Sequence, residues 1–389
     1  MKPVVECVLL VACLVPLYSY LIYPLMMILL TLPRWAARAA GGHGSEVSAA
    51  PVPLPVAVVV AAHNEAAHVA ALVASLRALT GVGGLRAYIG SDGSTDATVS
   101  RLQLMPGEDL RVYAFQENRG KASVLNDLVA ASSEPIIVFT DANTLLDTDA
   151  VARMLRAFAD PRVGMVCGEL LLSHAGDGDN IDGLYWRIER WLKRAEARLG
   201  GLLGANGAIY AIRRECYVPL ARDTIVDDFC VGMNIAARGW RLVYEPAAVA
   251  RELAPPDIRD EVGRRIRIGT GNYQACFRHP EYLWSAGPVT TFTYLSHKVL
   301  RWFTPHCLLI VLLGSALLAR DAPFGLLLVL QLAGYLLCAL AYAAGKRLRL
   351  PTLLRVPLFL IALNAALAVG FWRYLTGQYG GSWRRTQRG

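Results

Sequence analysis

An α/β fold flanked by membrane segments is the class that this 389-residue sequence predicts, and three observations predict it. From Val56 onward, short β-branched runs alternate with helical stretches at the spacing of a mostly parallel sheet covered on both faces. Apolar residues concentrate in 4–32 and beyond 302, in stretches long enough to cross a bilayer, while the middle has ordinary globular composition. Polar clusters follow the predicted strands, at the carboxyl edge where open α/β sheets bind ligands.

Taken in order, residues 4–32 carry no charge beyond Glu6, and the run is too long for a signal-peptide core. Arg34 and Arg38 follow, so residues 1–34 read as an anchor with its amino end outside and the next domain in the cytoplasm. Residues 35–55, rich in Gly, Ala, Ser and Pro, read as a linker. Residues 56–255 form the predicted α/β domain. Its strands are Val56–Val60, Leu85–Gly90, Leu110–Phe115 and Pro135–Thr140, with helices from Glu65, Thr95 and Lys121 between them. The order beyond Arg162 is more mixed: strand at Val163–Leu172, helix at Asp182–Leu199, strand at Ala208–Arg213, helix at Asp227–Arg238.

Residues 256–301 read as interfacial helices. There Arg259, Arg264, Arg265 and Arg267 alternate with Ile258, Val262, Ile266 and Ile268, as on a basic amphipathic helix at a membrane surface. Residues 302–376 hold three apolar segments, near 303–319, 324–344 and 356–375, and 377–389 form a basic tail. With three crossings the tail would fall outside, against the charge rule, so the segment with Pro305 and Gly314 is a candidate re-entrant loop.

The hydrophobic fraction of 54% and charged fraction of 18% fit a membrane protein with one globular domain. A net charge of +8 suits anionic headgroups or phosphates, whereas no basic stripe with interleaved aromatics supports nucleic acid. The eight cysteines form no Cys-x-x-Cys pair and several fall in apolar stretches, so they read as small buried hydrophobes and give a disulfide scaffold or zinc site no support.

Four polar clusters carry the chemistry. Ala62-His63-Asn64-Glu65 and Ser91-Asp92-Gly93-Ser94-Thr95-Asp96 each read alone as a turn and helix cap. Together, ending neighbouring strands, they favour a binding crevice. Lys121, after Gly120, is either a phosphate-binding cation near a helix start or a solvated surface lysine. Asp141 and Asn143, two apart on an extended segment, present two hard oxygens on one side, suited to Mg²⁺ or Mn²⁺. Asp227 and Asp228 complement a helix dipole, or divide into a fixed carboxylate and a general base.

The series VVVAAHNE, SDGSTD, NRGK, FTDAN, GANGAIYAIRR and VDDF…GWRLVYEP resembles the membrane-embedded family 2 glycosyltransferases, from about Val56 to Phe277. No motif is strong alone, but six in order are specific. The resemblance implies a GT-A type fold (a Rossmann-like mixed sheet), a UDP-sugar donor, a divalent metal and inversion at the anomeric carbon. By motif it places Asp92 at the uracil, Asp141 at metal-diphosphate, Asp228 as acceptor base, and Ala205-Asn206-Gly207 near the acceptor. Two positions depart from the pattern. Asn143 stands where the metal motif has a second Asp. The Gln-x-x-Arg-Trp of processive synthases corresponds to Arg264-Arg265-Ile266-Arg267-Ile268, with Arg301-Trp302 after His297-Lys298 as a second partial match.

These readings predict an inverting transferase of the inner membrane, in the group of the poly-N-acetylglucosamine and hyaluronan synthases. It would use a UDP-sugar and a glycan or lipid-linked acceptor at the cytoplasmic face, with export proteins as candidate partners. Two rivals are a transferase adding one sugar to a lipid, and a non-catalytic scaffold of a secretion complex.

Overall fold

The computed structural model describes residues 2–40, 54–105, 107–173, 181–253, 258–344 and 352–379. Helix α1 (Lys2–Leu17) runs through a π-helical turn, Tyr18–Ile22, into α2 (Tyr23–Ala40). The anchor is therefore longer than expected: residues 35–40, read as the start of a linker, are helical, and 41–53 lie outside the described residues.

The first half of the domain alternates as predicted. It runs β1 (Val56–Ala62), α3 (Val69–Arg77), β2 (Leu85–Asp92), α4 (Thr98–Gln103), β3 (Leu110–Phe115), α5 (Lys121–Ala131) and β4 (Ile136–Phe139). β1 lies between β2 and β4, parallel to both, and every one of its residues is buried. That double burial is why its sequence is a continuous apolar run instead of an alternation. Ala57, Val59 and Ala61 face Leu125 and Leu128 of α5, while Val58 and Val60 face Leu72 and Leu76 of α3.

The second half is mixed. It contains β5 (Leu145–Leu146), α6 (Ala150–Ala157), β6 (Val163–Ser173), α7 (Ile181–Leu199), β7 (Tyr210–Arg213), α8 (Asp227–Ala237) and β8 (Arg241–Leu253). The eight strands form one sheet in the order β3-β2-β1-β4-β7-β6-β8-β5. β7 runs antiparallel between β4 and β6, and β5 is antiparallel to β8. The sheet is thus parallel through its first four positions, and β6 and β8 pair parallel again beyond the antiparallel β7.

After the domain come α9 (Ile258–Arg278), α10 (Pro288–Thr293), a π-helical segment Tyr294–Val299, α11 (Leu300–Trp302), α12 (Thr304–Leu317), α13 (Ala322–Ala344) and α14 (Thr352–Leu375). Three helices among the described residues are long and apolar enough to cross a membrane: Lys2–Leu32, Ala322–Ala343 and Val356–Leu375. The interface helix Pro288–Trp302 meets Thr304–Leu317 at a bend of 49°, and counting the pair as one span gives up to four. The fourteen residues of α12 rise only about 21 Å, short of a hydrocarbon layer of roughly 30 Å. The Lys2 ammonium lies 2.9 Å from the Asp321 carboxylate, tying the start of α1 to the turn beyond α12.

One apolar core joins the domain to these helices. Buried Phe229 of α8, Tyr273, Tyr282, Tyr294 and Trp302 belong to the same cluster as the α5 face of the sheet. Phe229 meets Trp302 edge-on with ring centroids 5.8 Å apart. Contacts of that geometry add about 0.5–1.5 kcal/mol beyond area burial.

Candidate functional site

The crevice opens at the carboxyl ends of β1, β2 and β4, and two loops are stitched together along its rim. His63 Nδ1 donates to the Asp92 carbonyl at 2.7 Å. Asn64 adopts φ 57°, the left-handed region that Asn tolerates better than most residues. It receives a 2.8 Å bond from the Thr95 N–H on its side-chain oxygen, while its own N–H donates to Ser94 Oγ at 3.0 Å. The Glu65 N–H donates to Thr98 Oγ1 at 2.8 Å. The helix-cap alternative for this cluster is therefore answered: α3 starts only at Val69, and Asn64 braces the second loop.

Asp92 is fully buried. The resemblance placed this carboxylate at the uracil, and the structure gives it other partners. Its two oxygens accept from the Arg119 and Gly120 N–H groups at 2.8 and 2.9 Å. Gly93 beside it has φ +61°, and a Cβ there would lie 2.6 Å from the Asn118 nitrogen. The 117–120 loop can approach β2 only because that side chain is missing.

The loop so held delivers Lys121. Its ammonium lies 2.9 Å from Asp141 Oδ1 and 3.1 Å from Asp227 Oδ2, joining the end of β4 to the start of α8. Burial alone would lower this ammonium, but Asp141, Asp227 and Asp228 outweigh it and hold it above the ordinary lysine range. Of its two expected readings, the solvated surface lysine is excluded.

Asp227 is buried against Lys121, whereas Asp228 points elsewhere. Asp228 Oδ1 accepts from the Phe229 N–H at 2.8 Å, and its Oδ2 borders Gly207. A Cβ on Gly207 would lie 3.4 Å from Asp228 Oδ2 and 3.8 Å from Asp141 Oδ2, so the space above this glycine touches both carboxylates. Burial, then the neighbouring Asp227, lift the Asp228 carboxyl to about 6, against the pull of Lys121. The approach depends on Gly232 of α8, where a Cβ would sit 2.4 Å from the Gly204 Cα.

Tyr210, which sequence reasoning passed over as a core strand residue, stacks on Phe139 at 4.6 Å beneath these groups. Its hydroxyl is buried and has no hydrogen-bond partner among the described residues. Burial, then Asp227, Asp228 and Asp141, hold the phenol well above its usual range.

The pairing of Asp141 with Asn143 requires correction. The backbone after β4 turns, with the Thr144 N–H bonded to the Asp141 carbonyl at 3.1 Å, so the rule that residues two apart share a side does not apply. Asn143 instead donates from its amide to Glu252 at 2.9 Å. Among the described residues no group of three His, Cys, Asp or Glu side chains could hold a metal ion. Asp141 is left as the hard-oxygen donor facing the crevice. That fits an ion of the Mg²⁺ type, which binds through one or two carboxylates while phosphates and waters fill its other positions.

Asn206, after Ala205, pairs with Ile209 across a tight turn that sets Gly207 beside Asp228 and Asp141. Arg264, Arg265 and Arg267 lie on α9, which runs beside α14, and the Arg265 guanidinium sits 4.7 Å over the Phe359 ring. The stronger counterpart of the interfacial motif is the second match. Lys298-Val299-Leu300-Arg301-Trp302 places its Trp against Phe229, the residue after Asp228. In the sequence it is the second partial match, nearer the membrane.

A mixed sheet with acidic groups at its strand ends is here continuous with helices long and apolar enough to cross a membrane. The chain matches the model described as Glycosyltransferase like family 2 over residues 53–271, more than half its length, and it belongs to that family. It is 28% identical over 197 residues to the poly-beta-1,6-N-acetyl-D-glucosamine synthase of Staphylococcus aureus (strain COL), covering 48% of this chain and 47% of that protein. The Staphylococcus epidermidis protein of the same name is 25% identical over the same length. The chain thus spans about half the length of the curated relatives it matches. Among solved structures, the mannosyltransferase PcManGT from Pyrobaculum calidifontis, in complex with GDP-Man and Mn²⁺, superposes with a TM-score of 0.69. The match covers 95% of this chain and 99% of that one at 22% identity, a likeness of fold. The GT-A type fold expected from the motifs is therefore the fold of this glycosyltransferase.

Proposed function

We propose that the protein is an inverting glycosyltransferase of the plasma membrane that moves a sugar from a UDP-sugar to a polysaccharide or lipid-linked acceptor, in exopolysaccharide synthesis. The observation that carries this reading is the space above Gly207, bordered by Asp228 Oδ2 and Asp141 Oδ2. One carboxylate there has the raised affinity for protons that a base needs, and the other has Lys121 at its side.

The chemistry follows from the roles of these residues. Asp228 takes the proton from the acceptor hydroxyl. The acceptor oxygen forms a bond to the anomeric carbon as the bond from that carbon to the diphosphate oxygen breaks. The nucleoside diphosphate leaves with the electron pair, and the configuration inverts. Asp227 positions Lys121, whose charge lies beside the departing phosphates. Ala62, His63, Asn64 and Glu65 frame the nucleoside, with Asp92 acting through the Arg119–Gly120 loop. Asp141 would hold Mg²⁺ or Mn²⁺, which when bound neutralises charge on the leaving diphosphate. Ala205, Asn206 and Gly207 face the acceptor, and the arginines of α9 face lipid headgroups or the growing product.

Arg34 and Arg38 after the first apolar helix support a cytoplasmic domain. A single-transfer reaction stays close because Lys298 stands where the processive motif has an uncharged Gln.

Membranes carrying the parent chain or Asp228→Asn, supplied with a panel of radiolabelled UDP-sugars and Mn²⁺, test the reading. Transfer by the parent alone supports it. Equal transfer by both overturns the base assignment. No transfer from any donor brings the scaffold reading forward.

A further inference from the structure

One side of α7 meets the interface helix and the first helix in a buried cluster of charges. Glu196 accepts from Tyr23 Oη at 2.7 Å and from His297 Nδ1 at 2.5 Å. Glu189 receives His297 Nε2 at 3.2 Å and the Arg301 guanidinium. Nearby, Glu169 is engaged by Arg190 and Arg194. All three carboxylates therefore have partners at contact distance.

Two lysines at the same junction have no carboxylate at contact distance among the described residues. Lys193 donates to the Asn206 side-chain oxygen at 2.9 Å and to Cys167 Sγ at 3.0 Å, and lies 5.5 Å from the Tyr244 ring centroid. Lys298 is half-buried and makes no hydrogen bond or ion pair among the described residues. It is within electrostatic reach of Lys193, Glu189, Glu196 and Arg301. At this junction Arg190, Lys193, Arg194, Lys298 and Arg301 outnumber Glu169, Glu189 and Glu196, so positive charge remains after each of these carboxylates is paired. Partly desolvated ammonium groups without a counter-ion are unfavourable, and an anion placed between them relieves that cost.

We propose that Lys193 and Lys298 bind the phosphate of a lipid-linked acceptor, so that the acceptor is a phosphate-bearing lipid glycan and not a free neutral polymer. The inference rests on the glycosyltransferase reading and adds the acceptor class to it. Lys193 grips Asn206, the residue before Gly207, and Gly207 borders Asp228. The anion is thereby set back from the base by one step of chain. It serves as the linkage phosphate, while the sugar hydroxyl ahead of it meets Asp228. Lys298 stands on the interface helix, which bends into Thr304–Leu317. A lysine suits this task as a point charge on phosphate, whereas neutral sugar hydroxyls need no buried cation.

The test uses the full chain in detergent micelles, with farnesyl phosphate and farnesol as probes and UDP as the control. The expected result is at least tenfold tighter binding of farnesyl phosphate than of farnesol. Lys193→Gln and Lys298→Gln should each lower that affinity about tenfold without changing UDP affinity, and Lys298→Arg should retain it. Equal binding of phosphate and alcohol, or indifference to both lysines, overturns the proposal. Displacement of the probe by an equal concentration of phosphatidylglycerol assigns the pocket to a bilayer headgroup and overturns the acceptor assignment. Displacement by inorganic phosphate at equal concentration does the same in favour of a free anion. Failure to bind UDP would count instead against the glycosyltransferase reading.

Discussion

At the scale of single residues, Asp227 and Asp228 are adjacent in sequence and opposite in circumstance. One is neutralised by Lys121 at 3.1 Å, and the other is raised to about 6 by burial and by its neighbour. Asp228→Asn should lower transfer by about 10²–10⁴-fold, the usual contribution of a general base. The rate of the parent should fall below pH about 6, as Asp228 takes up a proton and ceases to be a base. Stability runs the other way. A carboxyl whose folded pKa is raised contributes stability fully present at low pH and lost as the pH rises through the folded value. Asp228→Asn should therefore raise the melting temperature at pH 8, with little change at pH 4, by thermal unfolding in detergent. Lys121→Met removes the cation between Asp141 and Asp227 and leaves both carboxylates facing each other in a partly buried site. Loss of one partner from such a cluster costs about 3–5 kcal/mol, so weaker UDP binding and a lower melting temperature should appear together.

At the scale of elements, the site depends on how closely backbones approach. Gly93 lets the 117–120 loop reach Asp92, and Gly232 lets α8 rest on Gly204. Gly232→Val should displace α8 and with it Asp228. A loss of transfer with UDP affinity near that of the parent would be seen in parallel turnover and titration calorimetry. This scale also separates what the sequence discloses from what it hides. β1, β2 and β4 are legible because strands buried on both faces must be apolar throughout, and the clusters at their ends mark the crevice. β5 has two residues, too short for any period, and the strand expected at Ala208–Arg213 carries no sign in its composition that β7 runs antiparallel to its neighbours. Asp92, Lys121, Asp141 and Asp228 could be found as motifs, but their partners could not. The position of Asn143 needed the turn at Asp141–Thr144, which the Asp-Ala-Asn-Thr composition allows without requiring. Tyr210 carries no such mark, and Trp302 shows only as the second partial match of the interfacial motif. Each acts through contacts made across distant elements, with Phe139 and Phe229, and no local pattern encodes such pairings.

At the scale of the whole molecule, transfer chemistry and membrane attachment share one framework. The size of the product distinguishes the two catalytic readings: a lipid-extractable product of a single added sugar is expected if Lys193 and Lys298 select a phosphate-bearing lipid, and a long insoluble product argues for polymerisation. Trp302→Ala should reduce acceptor use and thermal stability together, by the 3–5 kcal/mol typical of a buried Trp truncated to Ala, because the interface helix and α8 meet through this ring. The first helix enters the same framework through Tyr23, whose hydroxyl reaches Glu196 of α7. An anchor that merely tethered the domain could be exchanged for any other hydrophobic helix. Here such an exchange would strip Glu196 of one of its two donors in the wall that carries Lys193, so on the proposed acceptor reading the amino-terminal helix helps to build that site, and a domain severed from it is expected to lose selectivity before it loses its shape.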